Sequence, residues 1–263
     1  MTKYPLRSYL VASPGRELLA FDLSAAEAWV VAFLANCQQM KDTLLTGGDL
    51  HSLTAKFIFE KDEITKEERY IGKKLNHSCN YGTTPFKIVE SINAEGLITV
   101  TLAECKVFHS KWTQLYWEIP TWWREIQNTL EFNRRTLRTP YGREREFTGF
   151  WGDDLFKEAY AYIPQSTVGD HMLGATQAHE GAPAGGIREI YKQLIIPNKD
   201  KVSIVNTAHD SVVLDCDVSL SDAMIEGVKR LLKRPIRLDS GEEFTIPVDA
   251  ERGERYGELV KVA

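Results

Sequence analysis

Cysteine is scarce in this chain. Its four residues, Cys37, Cys79, Cys105 and Cys216, are scattered without a CxxC pair, so neither a zinc site nor a disulfide framework is indicated. Long hydrophobic runs are missing too. The opening MTKYPLRSYL has no continuous apolar core, and the apolar stretch at residues 18–35 is interrupted by Asp22 and Glu27. That argues against a signal peptide and against a membrane span. A reduced, cytoplasmic setting without a membrane partner is the expectation. Nor is there an excess of positive charge: 32 lysines and arginines stand against 37 acids, a net charge of -5. Composition therefore gives no global pull toward nucleic acid, and any phosphate polymer has to be met by local cationic clusters. No internal repeat or low-complexity segment is present. What remains is an ordinary globular composition, 43% hydrophobic and 26% charged over 263 residues. It is long enough for a substantial core in one large domain or two interleaved ones.

The most informative stretch is residues 69–82, RYIGKKLNHSCNYG. On a helix, positions four apart drift only about 40° around the axis. Arg69, Lys73, His77 and Tyr81 then share one face, with Asn76 beside them. The face has cations at its N-terminal end and flat rings at its C-terminal end, which suits a triphosphate lying along the first and a sugar and base against the second. It equally suits an amphipathic helix with a solvated cationic end, and this stretch alone does not choose. Thr65 followed by Glu68 forms a capping box that opens the helix, and the N-terminal dipole adds to the attraction for phosphate.

Elsewhere the pattern mixes strands and helices. Residues 6–34 read as strand, a Pro14-Gly15 turn, strand, then helix. Asp22 ends the otherwise apolar second strand, either as a turn or capping aspartate or as a metal ligand at the mouth of a sheet. Residues 36–82 look helical with a break at Gly47-Gly48, and residues 83–133 are helical and rich in large rings. Among these, Trp112, Tyr116, Trp117, Trp122 and Trp123 are expected in the core. Five arginines fall between positions 134 and 145 around a Pro140-Tyr141-Gly142 turn. They make either a solvated charge cluster or a phosphate-tracking hairpin rim. Residues 158–178 begin a further helix bearing Gln165, Thr167 and Asp170, residues 179–187 read as a loop, and residues 202–217 read as a β-hairpin around His209-Asp210.

In this order the stretches resemble A-family DNA polymerases. The 69–82 helix resembles that family's Arg-x3-Lys-x3-aromatic-x3-Tyr-Gly fingers helix. The segment at 22–27 resembles Asp-Tyr-Ser-Gln-Ile-Glu, with Asp22, Ser24 and Glu27 in register and Leu23, Ala25 and Ala26 departing. Arg7 falls where the family often has an arginine before this strand. GDLHSLTA at 48–55 resembles Asp-Ile-His-x3-Thr-Ala. Residues 134–146 resemble the Gly-Arg-Arg segment, and Gln165 the glutamine that meets template or primer. His209-Asp210-Ser211 resembles His-Asp-Glu, with Ser211 replacing the glutamate. Residues 246–260 resemble the closing palm strand, with Tyr256 for the tryptophan. The resemblance covers nearly the whole chain, and the departures His77, Ser211 and Ala25 look phage-like or mobile-element-like.

This resemblance implies an α+β fold: an antiparallel palm sheet with packed helices and a mostly helical fingers insertion. The palm would occupy residues 1–40 and 136–263, and the fingers residues 41–135. It implies template-directed DNA synthesis, with nucleotidyl transfer from a dNTP to a primer 3′-OH by two Mg²⁺ ions. Asp22, Asp210 and the Leu23 carbonyl would hold the ions, and Lys73 would share in catalysis. Arg69, Lys73 and His51 would hold the triphosphate, Glu27 would lie under the sugar, and His77 and Tyr81 would pack on the nucleotide. Arg143, Gln165, His209 and Asn76 would touch primer–template DNA. Asp22 lies only 21 residues from Met1, so the expectation is a minimal or split polymerase whose thumb and exonuclease belong to a separate subunit. The alternative is a non-catalytic primer–template-binding remnant or accessory subunit. A two-metal nuclease would use similar ions but leaves the 69–82 helix unexplained.

Overall fold

The computed structural model describes residues 9–262; Arg7 lies outside them. In chain order, β1 (Arg16–Leu23) leads into α1 (Ala26–Leu34), α2 (Gln38–Leu45), α3 (Leu50–Phe59) and α4 (Lys66–Cys79). Next come α5 (Pro85–Ala94), α6 (Leu102–Leu115) and α7 (Glu118–Phe132), the short hairpin β2 (Thr136–Arg138) and β3 (Glu144–Glu146), and the long α8 (Asp153–Leu173). After α9 (Gly186–Ile190) follow β4 (Val202–Thr207), β5 (Ser211–Asp217), α10 (Ser221–Leu232), β6 (Pro235–Arg237), β7 (Glu243–Thr245), β8 (Val248–Gly253) and β9 (Val260–Lys261). The fold is α+β, and the chain divides into two compact units.

Of the described residues, the first unit comprises 9–26, 140–142 and 166–262. Its centre is a five-stranded antiparallel sheet in the order β4-β5-β1-β8-β9. Side chains alternate across a pleated strand. Leu19, Phe21 and Leu23 therefore share one face of β1, opposite Leu214 and Val212 of β5 and Ala250 of β8. All are buried, and α10, whose Met224, Ile225, Val228, Leu231 and Leu232 recur at helical spacing, packs against β1 and β8 in the same unit. Each such side chain contributes about 1.5–3 kcal/mol by leaving water. Before the Pro14-Gly15 turn the expected strand is reduced to a single bridge, Val11 to Arg255. Ser13 gives its N–H and hydroxyl to the buried Asp215, far along the chain, instead of to a ladder. In the basic run at 229–237, Arg234 is not a surface cation. It is buried, its guanidinium donating to the carbonyls of His171 and Ala175 and lying over the Tyr141 ring.

The second unit comprises residues 27–139 and 143–165 and is mostly helical. The break at Gly47-Gly48 and the Thr65/Glu68 capping box both form as the sequence predicts. The closest helix pair is α3 on α4, and Gly72 permits it: a Cβ there would lie 2.3 Å from the His51 carbonyl oxygen. Of the large rings expected in the core, Trp112, Tyr116 and Trp122 are buried and Trp123 is half-buried, stacked on Tyr160 with centroids 5.4 Å apart. Trp117 is the exception at 63% exposed, because it precedes α7 and its neighbour Glu118 starts the helical rise. The arginine-rich segment does form a hairpin. Gln165 is not at a helix start but mid-way along α8, exposed, next to Pro164.

Candidate active site

In the sheet unit, the chemistry-bearing residues collect where β1 ends. Strand pairing sets Asp22 opposite Ser211 on one side and opposite Asp249 on the other. Directly opposed residues point to the same face, so Asp22, Ser211 and Asp249 share one. The His209-Asp210 turn follows beside them, since the Leu23 N–H donates to the Asp210 carbonyl at 2.9 Å. His209 lies alongside α8, where a Cβ on Gly169 would be 3.6 Å from its Cε1. Asp22 is exposed and Asp210 half-buried, so neither carries the cost of an unpaired carboxylate in the core. Asp249 accepts from the Ser24 hydroxyl at 2.8 Å and pairs with Lys261 at 2.9 Å. Burial would raise its carboxyl, but these two partners hold it below the usual range.

Among the described residues, His, Cys, Asp and Glu side chains form no preassembled cluster of three or more that could hold a metal ion. The Leu23–Asp210 backbone hydrogen bond brings Asp22 and Asp210 close along the chain, and carboxylate and carbonyl oxygens are hard donors of the kind Mg²⁺ accepts. Mg²⁺ usually takes only one or two carboxylates and fills its shell with water and phosphate oxygen, so this donor set fits the ion.

In the helical unit, α4 presents Arg69, Lys73 and His77 to solvent, as the spacing predicts. The helix itself stops at Cys79, and Tyr81 stands on the turn that follows, where Gly82 takes φ +69°. His77 and Tyr81 remain neighbours, edge to face with centroids 6.5 Å apart. Tyr81 donates its hydroxyl to Glu27 at 2.5 Å, and burial with the adjacent carboxylate pushes its phenol far up. Arg69 is held by Asp49, with Nε and Nη2 donating to the two carboxylate oxygens at 2.5 and 3.2 Å. Burial would raise Asp49, but Arg69 and Ser52 hold it at about 2. The same carboxylate caps α3 through the His51 N–H.

His51 belongs to this face. Burial above all, then the nearby Arg69, Lys73 and His77 charges, lower its imidazole to about 4 against the opposing pull of Asp49. Asn76 does not belong to it. Its side chain turns inward, 2% exposed. The carboxamide oxygen accepts from Trp112 Nε1 at 2.9 Å and lies 2.9 Å from the Thr54 hydroxyl. The nitrogen faces the Leu50 carbonyl at 3.3 Å and His51 Nδ1 at 3.2 Å. An asparagine committed on all sides cannot also reach DNA.

Arg143 is exposed at the start of the hairpin's return strand. Among the other hairpin arginines, Arg135 is drawn to the Gly149 carbonyl and the Trp151 ring, and Arg145 to Glu158. Sequence reasoning missed Asp49, Asp249 and the role of Asn76. Asp49 carried a signal, a Gly-Asp ahead of a helix; the reach of Trp112 back to Asn76 carried none.

A family model, DNA polymerase family A, matches residues 2–258. DNA polymerase I of Aquifex aeolicus is 22% identical over 249 residues, 94% of this chain and 40% of that protein. The DNA polymerase of Escherichia phage T5 is 22% identical over 267 residues, 90% of this chain and 29% of that protein. DNA polymerase I of Chloroflexus aurantiacus is 27% identical, covering 98% of this chain and 26% of that protein. In fold, the chain is similar to the POL domain of Pol1 from M. smegmatis, solved in complex with DNA primer-template and dNTP. The TM-score is 0.73 at 17% identity, over 97% of this chain and 42% of that one. The chain thus spans 40% or less of the length of these relatives. With a family model matching from residue 2 to residue 258, the chain belongs to DNA polymerase family A.

Proposed function

We propose that the chain carries out template-directed DNA synthesis, transferring a nucleotide from a dNTP to a primer 3′-OH. The observation that carries this reading is the backbone pairing that sets Asp22 beside the Asp210 turn in a chain of this family. Residues 1–40 and 136–263 act as palm and residues 41–135 as fingers. In-line displacement at an α-phosphate builds negative charge on the attacking and leaving oxygens. Two Mg²⁺ ions, when bound, supply positive charge at both oxygens. Asp22, Asp210 and the Leu23 carbonyl are the groups that hold them.

Lys73 and Arg69 neutralise and orient the triphosphate, with His51 as a further donor. His77 and Tyr81 give the sugar and base an apolar wall. Glu27 is the residue under the sugar that excludes a ribose 2′-hydroxyl, a reading supported by the Tyr81 hydroxyl bond that fixes its carboxylate. Arg143, Gln165 and His209 meet primer or template. With a net charge of -5, duplex phosphates are met by local cationic clusters such as residues 134–145, or by other polypeptide in a split enzyme.

The purified chain with primed DNA, Mg²⁺ and dNTPs should extend the primer according to template. Asp22→Asn and Asp210→Asn should each lower single-turnover extension by roughly 10³-fold, as expected for losing several kcal/mol of transition-state charge stabilisation. Extension within tenfold of wild type in either variant overturns the metal assignment. Primer–template binding with no extension by the wild type favours the accessory reading.

A further inference from the structure

Asn76 answers a question that the position of His51 raises: which ring nitrogen carries the proton. An indole N–H can only donate. Trp112 Nε1 lies 2.9 Å from Asn76 Oδ1, so that atom is the carboxamide oxygen. The Leu50 carbonyl, which can only accept, lies 3.3 Å from Asn76 Nδ2. Both ends of the amide are therefore assigned independently. The second Nδ2 hydrogen points at His51 Nδ1, 3.2 Å away. A donor facing Nδ1 requires a lone pair there, which puts the imidazole proton on Nε2. Nε2 has no hydrogen-bond partner among the described residues and is not shut away from solvent.

We propose that Asn76 is a positioning residue that holds His51 as the neutral Nε2–H tautomer, so that the ring offers an uncharged donor to an oxygen of the bound triphosphate. The assignment rests on the reading of this face as the nucleotide site. The groups facing His51 are Asp49 on its own helix and Arg69, Lys73 and His77 on α4. Three of them are basic side chains, so a neutral donor adds a hydrogen bond without adding another charge to be held apart. Burial already keeps the ring neutral down to about pH 4. Asn76 adds the choice of nitrogen.

Two measurements test this. The first uses the wild-type chain alone. The pattern of long-range ¹H–¹⁵N correlations of the His51 ring should show the proton on Nε2 from about pH 5 to pH 8. A proton on Nδ1, or on both nitrogens, overturns the proposal.

The second compares wild type with Asn76→Asp. The carboxylate can still accept from Trp112 and Thr54 and now accepts from His51 Nδ1 instead of donating to it, at the cost of an oxygen facing the Leu50 carbonyl. The proton should move to Nδ1, and the ring should take up a second proton near neutrality. Relative to wild type, dATP affinity in N76D should then tighten by roughly fivefold between about pH 8 and pH 6, the usual gain when a hydrogen bond becomes charge-assisted. The titration of the phosphate itself is common to both chains and cancels in that ratio. The same pH dependence in both folded chains overturns the proposal. A wild type that shows the Nε2–H tautomer but binds no dATP sinks the nucleotide reading alone.

Discussion

At the end of β1, strand pairing by itself lines up Asp22, Ser211 and Asp249. On α4, the exposed cations sit over a buried network whose members come from 22 and 36 residues away in the sequence. The two regions therefore hold their functional groups by different means. In the sheet, position follows from register, which the backbone ladder sets. On the helix, Asn76 joins Leu50, His51, Thr54 and Trp112, and the face above inherits its geometry from those contacts. Removing a group should thus separate activity from stability in the first region and couple them in the second.

The sharpest way to break this contrast is Asp22→Asn. The roughly 10³-fold loss of extension expected of a metal carboxylate should come with no loss of thermal stability. Asp22 is exposed and faces Asp249 across the pair. Like charges directly opposed destabilise a sheet, so a small rise in melting temperature is the expected sign. A fall of several degrees would mean that Asp22 holds the sheet together, and the comparison would fail.

The complementary test lies under the helix. Trp112→Phe keeps most of the buried ring and deletes the Nε1–H donor to Asn76 Oδ1. A buried acceptor that loses one of two donors, here keeping the Thr54 hydroxyl, costs about 0.5–1.5 kcal/mol, and the loss should appear as a lower midpoint in urea with an unchanged slope. Extension should weaken at the same time, through a higher KM for dNTP, because the amide that orients His51 can now turn over. Full stability in Trp112→Phe would mean that the network does not support this face.

This difference also marks what the sequence makes legible. The strand ends, the helix break at Gly47-Gly48, the capping box at Thr65 and the hairpin around His209-Asp210 are written in neighbouring residues, and their positions follow. The exposed face of α4 is legible for the same reason, since helical spacing alone generates it. Asn76 is not, because on a helical wheel it lies next to that face, and contacts from α3 and α6, Trp112 and Thr54 among them, turn it inward. Val11 and Trp117 fail similarly. Each is apolar and regularly spaced, yet Ser13 is drawn to Asp215 near the first, and the second stands at the α6–α7 junction with its ring outward. Long-range hydrogen bonds decide Asn76 and Val11 and a helix junction decides Trp117, and periodicity does not contain either.

The smallest expected effect concerns Asp49, where the two regions differ in a further way. Asp22 meets another acid across its strand pair, whereas Arg69 already has an anion, the Asp49 carboxylate on two of its guanidinium nitrogens. An incoming triphosphate has to share or displace that partner. Held at about 2, Asp49 stays charged throughout the working pH range, so the competition is constant and not a pH switch. Asp49→Asn removes the charge and keeps the cap, because asparagine serves as well at the start of a helix and can still accept from the His51 N–H. Both side chains of the pair are substantially exposed, at 46% and 39%, and exposed pairs are worth at most about 1 kcal/mol. Calorimetric titration with a dNTP should therefore show binding tightened by about two- to fivefold, with the melting temperature close to wild type. Weaker binding in Asp49→Asn would mean the opposite arrangement, in which Asp49 aims Arg69 at the phosphates and does not compete with them.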